Sequence, residues 1–151
     1  MNETAENRII LDELCSGQQL AVLATNAGKA PYTSLVAFAT TPDLHTFYFV
    51  TARSTRKWSY LEANRHVSLL IDNRHNTSDD FSQAAAATVL GVAAELHDKA
   101  RESALAHFLD KHPGLTEFAN SPDTALLQVQ VASIYLVTRF QNVCEFHGKH
   151  I

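Results

Sequence analysis

At 151 residues, 46% of them hydrophobic, and with a formal net charge of −4, the chain can bury one real core and has no broad basic stripe for a nucleic-acid backbone. Its longest apolar runs, such as 84–94, are far short of a membrane span, and MNETAENR lacks the basic and apolar regions of a secretory signal. The expectation is one cytoplasmic domain over residues 1–151, with neither nucleic acid nor membrane as a partner.

In chain order, residues 7–16 predict a short helix through Ile10, Leu11 and Leu14, with Gly17 as its stop. Gln19 to Thr25 and Ala30 to Thr40 read as two strands joined by turn chemistry at Asn26-Ala27-Gly28-Lys29. Thr41-Pro42-Asp43 predicts a tight turn, and Leu44 to Thr51 is aromatic and β-branched enough for a third strand. A helix from Ser54 to Asn64 precedes a fourth strand at His66 to Asp72, and residues 73–83 read as polar loop. Ala84 to His97 suits a helix by its alanines and a strand by Thr88, Val89, Gly91 and Val92; a strand is assigned over at least Thr88 to Leu96. Asp98 is placed as the cap of a helix with Ala100, Ala104, Leu105, Phe108 and Leu109 on one face, ended by Pro113-Gly114. Leu126 to Phe140 alternates as a long half-buried strand, and residues 145–151 read as a flexible tail. These six strands have no βαβ order, so the predicted fold is mainly β: an antiparallel barrel with peripheral helices.

The segment Thr51-Ala52-Arg53-Ser54-Thr55-Arg56-Lys57-Trp58 carries the most chemistry. A helix N-terminus has unpaired N–H groups and partial positive charge, so Arg56 and Lys57 in the first turn are misplaced unless an anion joins them. Ser54 or Thr55 as N-cap, free amides and two cations together make a site for a phosphate-like group. An ordinary solvated face with Ser54 and Thr55 as simple caps is the alternative.

In this setting LAVLATNAGKAPYTSLVAF followed by LHTFYFVTARSTRKWSYLEANRHVSLLID resembles the pyridoxamine 5′-phosphate oxidase-like, flavin-binding split-barrel family, over roughly residues 8–140. The resemblance implies a six-stranded antiparallel split barrel. It implies a homodimer with flavin mononucleotide (FMN) at the subunit interface, Thr55, Arg56 and Lys57 on the phosphate, Ser34, Leu35, Val36 and Ala37 beside the isoalloxazine, and Thr51 near the ring or ribityl chain. Small members of the superfamily also bind deazaflavin or haem. The family's Gln before the barrel glycine is replaced in the alanine run around Ala86, and its C-terminal Trp and Arg-x-His elements have no match in FQNVCEFHGKHI. The expected role is therefore a flavin-binding oxidoreductase-like protein with an unknown small substrate, not a genuine pyridoxamine 5′-phosphate oxidase. A non-catalytic flavin or haem binding, storage or sensing protein is the alternative.

Other chemistry has less support. His107 and His112 are off the i, i+4 spacing of two ligands on one helix face, so the histidines read as surface or capping residues and no metal site is expected. His147 and His150 in the tail could ligate haem iron or simply be solvated. Asp79-Asp80 reads as loop solubility, Trp58 as core, and Cys15 and Cys144 as passive thiols. With no GxSxG elbow, hydrolysis has no support and no catalytic side chain is assigned.

Overall fold

The computed structural model describes residues 3–28 and 30–151. Lys29 lies outside the described residues, so the expected hairpin turn is seen only in part. There Asn26 Oδ1 accepts from the N–H of Gly28 at 2.8 Å, and Gly28 takes the left-handed φ of +81° that glycine tolerates.

The described residues form seven strands and five α-helices in the order α1 (Glu3–Gly17), β1 (Leu20–Thr25), β2 (Tyr32–Thr40), β3 (Thr46–Ala52), α2 (Arg56–Ala63), β4 (His66–Asp72), α3 (Asp80–Gln83), β5 (Ala85–Glu95), α4 (Asp98–Lys111), α5 (Thr116–Asn120), β6 (Thr124–Thr138) and β7 (Asn142–His147). All pairings are antiparallel in the order β3-β2-β1-β4-β5-β6-β7, and a further β3–β6 pairing closes the first six strands into a barrel. The fold is thus mainly β, a six-stranded antiparallel split barrel with peripheral helices and one additional strand. The length of β6 makes this possible. Residues 124–130 pair with β3 and 133–138 with β7, while β5 runs along the other edge.

Period-two alternation decides which side chains face inward. In β1 and β5 every second residue is buried, and Leu23, Phe38, Phe47, Phe49, Leu69, Ile71, Val89, Leu127, Val129 and Ile134 are fully enclosed. Each such side chain contributes about 1.5–3 kcal/mol relative to exposure. Helix α1 plugs this core with Leu11, Leu14 and Cys15. A second cluster, built on Phe108, Ala104, Ala119, Leu126, Ala39 and Val50, joins α4 and α5 to the outside of β2, β3 and β6.

Histidines complete the α4 contact. Beyond Leu20 the β2 edge has no β1 partner, and the carbonyls of Phe38 and Thr40 accept from His112 Nε2 at 2.7 Å and His107 Nε2 at 2.6 Å. A carbonyl can only accept, so each Nε2 carries the proton. His112 is the C-terminal cap of α4, the capping alternative of the sequence reading, and it is buried against Phe108.

Several boundaries differ from expectation. Leu44 lies in the turn, at φ +61° with its side chain buried, so β3 starts at Thr46. β5 reaches back from the assigned minimum at Thr88 to Ala85, because the alanines fit the crowded interior, and ends at Glu95, one residue before Leu96. Helix α4 begins after His97, which caps it without a side-chain hydrogen bond, and Asp98 is its first residue at φ +54°. The polar loop 73–83 contains α3 and is organised by Asp80, whose carboxylate accepts from the N–H groups of His75, Asn76 and Thr77. The His75 bond in particular holds its pKa below the ordinary carboxylate value. Asp80 is therefore a loop organiser as well as a soluble group. The segment 145–151 also departs from the expected flexible tail: Phe146 is buried, β7 ends at His147, and residues 148–150 form a 3-10 turn.

Burial in this core pushes the Cys15 thiol up to about 12. Its folded pKa lies above its unfolded value, so the folded state holds the extra proton and its stabilising contribution is complete below about pH 9 and lost as pH rises towards 12. The slope is at most ~1.4 kcal/mol per pH unit. Lys111, half-buried with Nζ 3.0 Å from the Cys15 carbonyl and 3.9 Å from the Phe38 ring centroid, is shifted down by desolvation and opposes this trend. Urea midpoints between pH 8 and 10.5 are expected to fall more steeply in the parent than in Cys15→Ala. Equal slopes would remove Cys15 from the account.

Candidate functional site

The split in the barrel lies between β2 and β3. The two strands pair only over Phe38↔Phe49, Ala39↔Tyr48 and Thr40↔Phe47, whereas β2 continues along β1 as far as Tyr32. Since the N–H of Phe38 is committed to Gln19 on the β1 side at 3.4 Å, strand alternation turns the main-chain groups of Thr33, Leu35 and Ala37 towards the unpaired edge. On β3, Val50, Thr51 and Ala52 are held from the far side by β6. The result is a wedge with free backbone donors and acceptors on its β2 wall.

The residues singled out in β2 divide by this geometry. Leu35 and Ala37 present main chain to the opening, and the Leu35 side chain is 65% exposed. Ser34 contributes a buried Oγ that has no hydrogen-bond partner among the described residues. A buried hydroxyl without a partner is a costly arrangement unless a ligand completes it. Val36 contributes neither group, because its side chain is in the core and its main chain faces Ala21.

Helix α2 starts at the end of β3, where a chain of hydroxyls fixes its first turn. Thr55 is the N-cap: its Oγ1 accepts from the Trp58 N–H at 3.3 Å and donates to the Ala52 carbonyl at 2.8 Å. With that proton used, the buried Thr51 hydroxyl donates to Thr55 Oγ1 across 3.1 Å. Thr51 thus braces the cap. The capping alternatives resolve in favour of Thr55, with Ser54 exposed before it.

The cations of the segment have different fates. Arg53 stacks 5.0 Å from the Trp58 ring centroid and pairs with Glu95 at 2.5 Å. It is a structural residue that ties α2's entry to the end of β5, and Trp58 packs against the core as expected. Arg56 and Lys57 have no carboxylate partner among the described residues. The guanidinium of Arg56 lies 5.4 Å from the centroid of Tyr32, the first residue of β2's open edge. The helix start and the wedge are therefore contiguous, with Tyr32 and Arg56 between them. Tyr32 has no recognisable signal in the sequence, since its role comes from a contact between distant segments.

Elsewhere, His147 Nε2 is 2.9 Å from Glu145 Oε2, and its ring packs edge-on to Tyr135. Among the described residues no three His, Cys, Asp or Glu side chains converge as a metal-binding group, and no helix is long and apolar enough to cross a membrane.

Comparison with known proteins agrees with this fold. Residues 11–138 match the family model described as Pyridoxamine 5′-phosphate oxidase. Among solved structures, a heme binding protein from Mycobacterium smegmatis superimposes with a TM-score of 0.84 at 17% identity, covering 99% of this chain and 60% of that one. General Stress Protein 26 from Bacillus anthracis gives 0.69 at 17% identity, covering 97% and 100%. A fad-binding protein from Mesorhizobium loti gives 0.67 at 14%, covering 85% and 91%. The chain thus spans about 60% of the Mycobacterium smegmatis protein. At these identities the structures show a common fold. No curated protein matches.

Proposed function

The chain belongs to the pyridoxamine 5′-phosphate oxidase family, and we propose on that premise that it binds FMN and acts as a flavin-dependent oxidoreductase-like protein on a small substrate. The observation that carries this reading is the pair of unmatched cations, Arg56 and Lys57, at a capped helix start beside an open strand edge. The site fits the group. Free amides of the first turn and the two cations suit a phosphate, the main chain of Leu35 and Ala37 suits a polar heterocycle edge, and Ser34 Oγ lacks a partner that such a ligand would provide. When bound, the flavin supplies the redox chemistry. Thr55 holds the helix start rigid, Thr51 fixes Thr55, and the exposed Leu35 supplies apolar cover at the mouth of the wedge. The expected observation is a flavin spectrum that titrates to one FMN per chain. Absence of binding at excess FMN would reject the proposal.

The same reading includes a homodimer. Across the outer face of the sheet the registers align Leu35, Val22, Leu70, Thr88 and Tyr135 in one row, and Leu20, Leu90 and Val92 beside it are exposed. An apolar sheet face of this kind is suited to a self-complementary contact, and it adjoins the open β2 edge, so a second copy would shield the flavin from water. Placing Asp at both Leu35 and Leu90 is expected to convert the dimer to a monomer in light scattering. A parent protein that is monomeric at micromolar concentration would rule this out. The two free thiols suit a cytoplasmic protein.

One observation favours a second reading, a non-catalytic flavin or haem binding protein. His147 is held by Glu145 against Tyr135, and a carboxylate-oriented imidazole suits an iron ligand. A Soret band on adding haem, lost in His147→Ala, would support it; steady turnover of a reduced nicotinamide with an electron acceptor would count against a purely binding role.

A further inference from the structure

Past the open stretch of β2 a cavity of about 610 Å³ lies between α1, the β2–β3 turn and α4. None of its lining residues belongs to the apolar sheet row assigned to the dimer. Ala39 and Leu44 give it an apolar wall, and Glu13 and Ser16 of α1 line it together with Asp110 and Lys111 of α4.

Lys111 is the last residue of α4, where a cation is ordinarily favoured by the helix end. Its surroundings nevertheless serve an ammonium ion poorly. The side chain is half-buried and has no ion-pair partner among the described residues. Nζ donates to the Cys15 carbonyl at 3.0 Å and lies 3.9 Å from the centroid of the Phe38 ring, so one strong acceptor and an aromatic face replace the water that three N–H groups would hold. Loss of that hydration favours the uncharged amine, in keeping with the downward shift of its pKa. An uncharged lysine amine beside open space is a nucleophile.

The neighbours select the electrophile. Asp12 is held by Arg8 at 2.9 Å, whereas Glu13 and Asp110 have no ion-pair partner among the described residues, so the rim repels an anionic reagent and admits a neutral one. Acylation would leave a neutral amide above the Phe38 ring and beside these acids. Condensation with an aldehyde leaves an iminium ion instead, a larger cation that suits the ring and the acids and loses less than a compact ammonium on leaving water. We infer that Lys111 is a covalent site for a small neutral aldehyde, held in this cavity as a Schiff base. The nitrogen bonds to the carbonyl carbon and the carbon–oxygen bond breaks. Two protons of the ammonium leave with that oxygen as water, the positive charge stays on the iminium, and no electron donor or acceptor is needed. Glu13 and Asp110 are the groups at hand to pass protons from nitrogen to oxygen.

The inference requires no flavin and is tested on the protein as isolated. Propanal is added with cyanoborohydride, which reduces the iminium to a stable secondary amine, and each lysine is followed by peptide mass spectrometry. Lys111 is expected to be alkylated roughly tenfold faster than the exposed Lys99 and Lys149, since access alone would favour the latter two. Ser16→Phe, at the exposed mouth of the cavity, should slow Lys111 and leave Lys99 and Lys149 unchanged. Glyoxylate, an anionic aldehyde, should show much less preference for Lys111 and recover it in Asp110→Asn. Alkylation of Lys111 no faster than Lys99 would overturn the proposal. So would an undiminished preference in Ser16→Phe, which would place the reaction outside the cavity, and an equal preference with glyoxylate, which would remove the reason for a neutral ligand.

Discussion

Replacing Arg56 and Lys57 together by alanine is expected to weaken FMN binding by roughly two to four orders of magnitude while leaving riboflavin binding within a few-fold of the parent. Each side chain is assigned a charge-assisted contact with the phosphate of roughly 1.5–3 kcal/mol, and riboflavin has no phosphate to lose. The apo protein should be as stable as the parent or slightly more so. Neither residue has an ion-pair partner among the described residues, and a cation beside a helix N-terminus is unfavourable. Arg53→Ala separates the two kinds of arginine in this segment. It breaks the Glu95 pair and the Trp58 stack, so its effect should fall on stability first. Titration of both flavins against the double variant is the decisive measurement: unchanged FMN affinity would end the phosphate-site reading.

The second large effect is expected at Gly91, where β5 shifts register against β6 and Ala132 has no partner between Val131 and Ser133. A Cβ built there falls onto the Gln130 carbonyl oxygen and lies 2.6 Å from Val129 Cγ1, so it meets backbone as well as side chain. Only glycine lets the two strands approach this closely. Gly91→Ala should cost about 3 kcal/mol, at the upper end of overpacking penalties, and Gly91→Val more. Urea unfolding would show this as a lowered midpoint with an unchanged slope. By contrast, a Cβ at Gly17 or Gly114 meets nothing within 4 Å, and alanine there should be nearly neutral. A Gly91→Ala midpoint equal to that of Gly114→Ala would show that the strands can part without penalty.

The local patterns legible in the sequence are those whose cause is local. Alternation in LAVLAT and HVSLLID, the aromatic run TFYFV, and a Thr before two cations each follow from the residues themselves, and the structure has β1, β4, β3 and the Thr55 cap at those places. The ambiguity of 84–97 arose because alanine favours a helix when alone and fits a strand when the interior leaves no room for more. β7 and α5 were missed for a related reason. NVCEFH has no clear alternation and is a strand because the second half of β6 offers it an edge, while TEFAN is too short to announce itself.

The sequence by itself determined the antiparallel strand-rich architecture, the family, and the two cations at a helix start, because alternation, turn residues and the cap act over only a few residues. Tertiary structure alone decided that β2 and β3 part after three pairs, that Ser34 Oγ is buried without a partner among the described residues, and that Arg53 is claimed by Glu95 while Arg56 reaches Tyr32. The physical reason is the same in each case. These features depend on which distant strand lies alongside, and that is settled by closure of the barrel through β3 and β6, a pairing between residues about eighty positions apart.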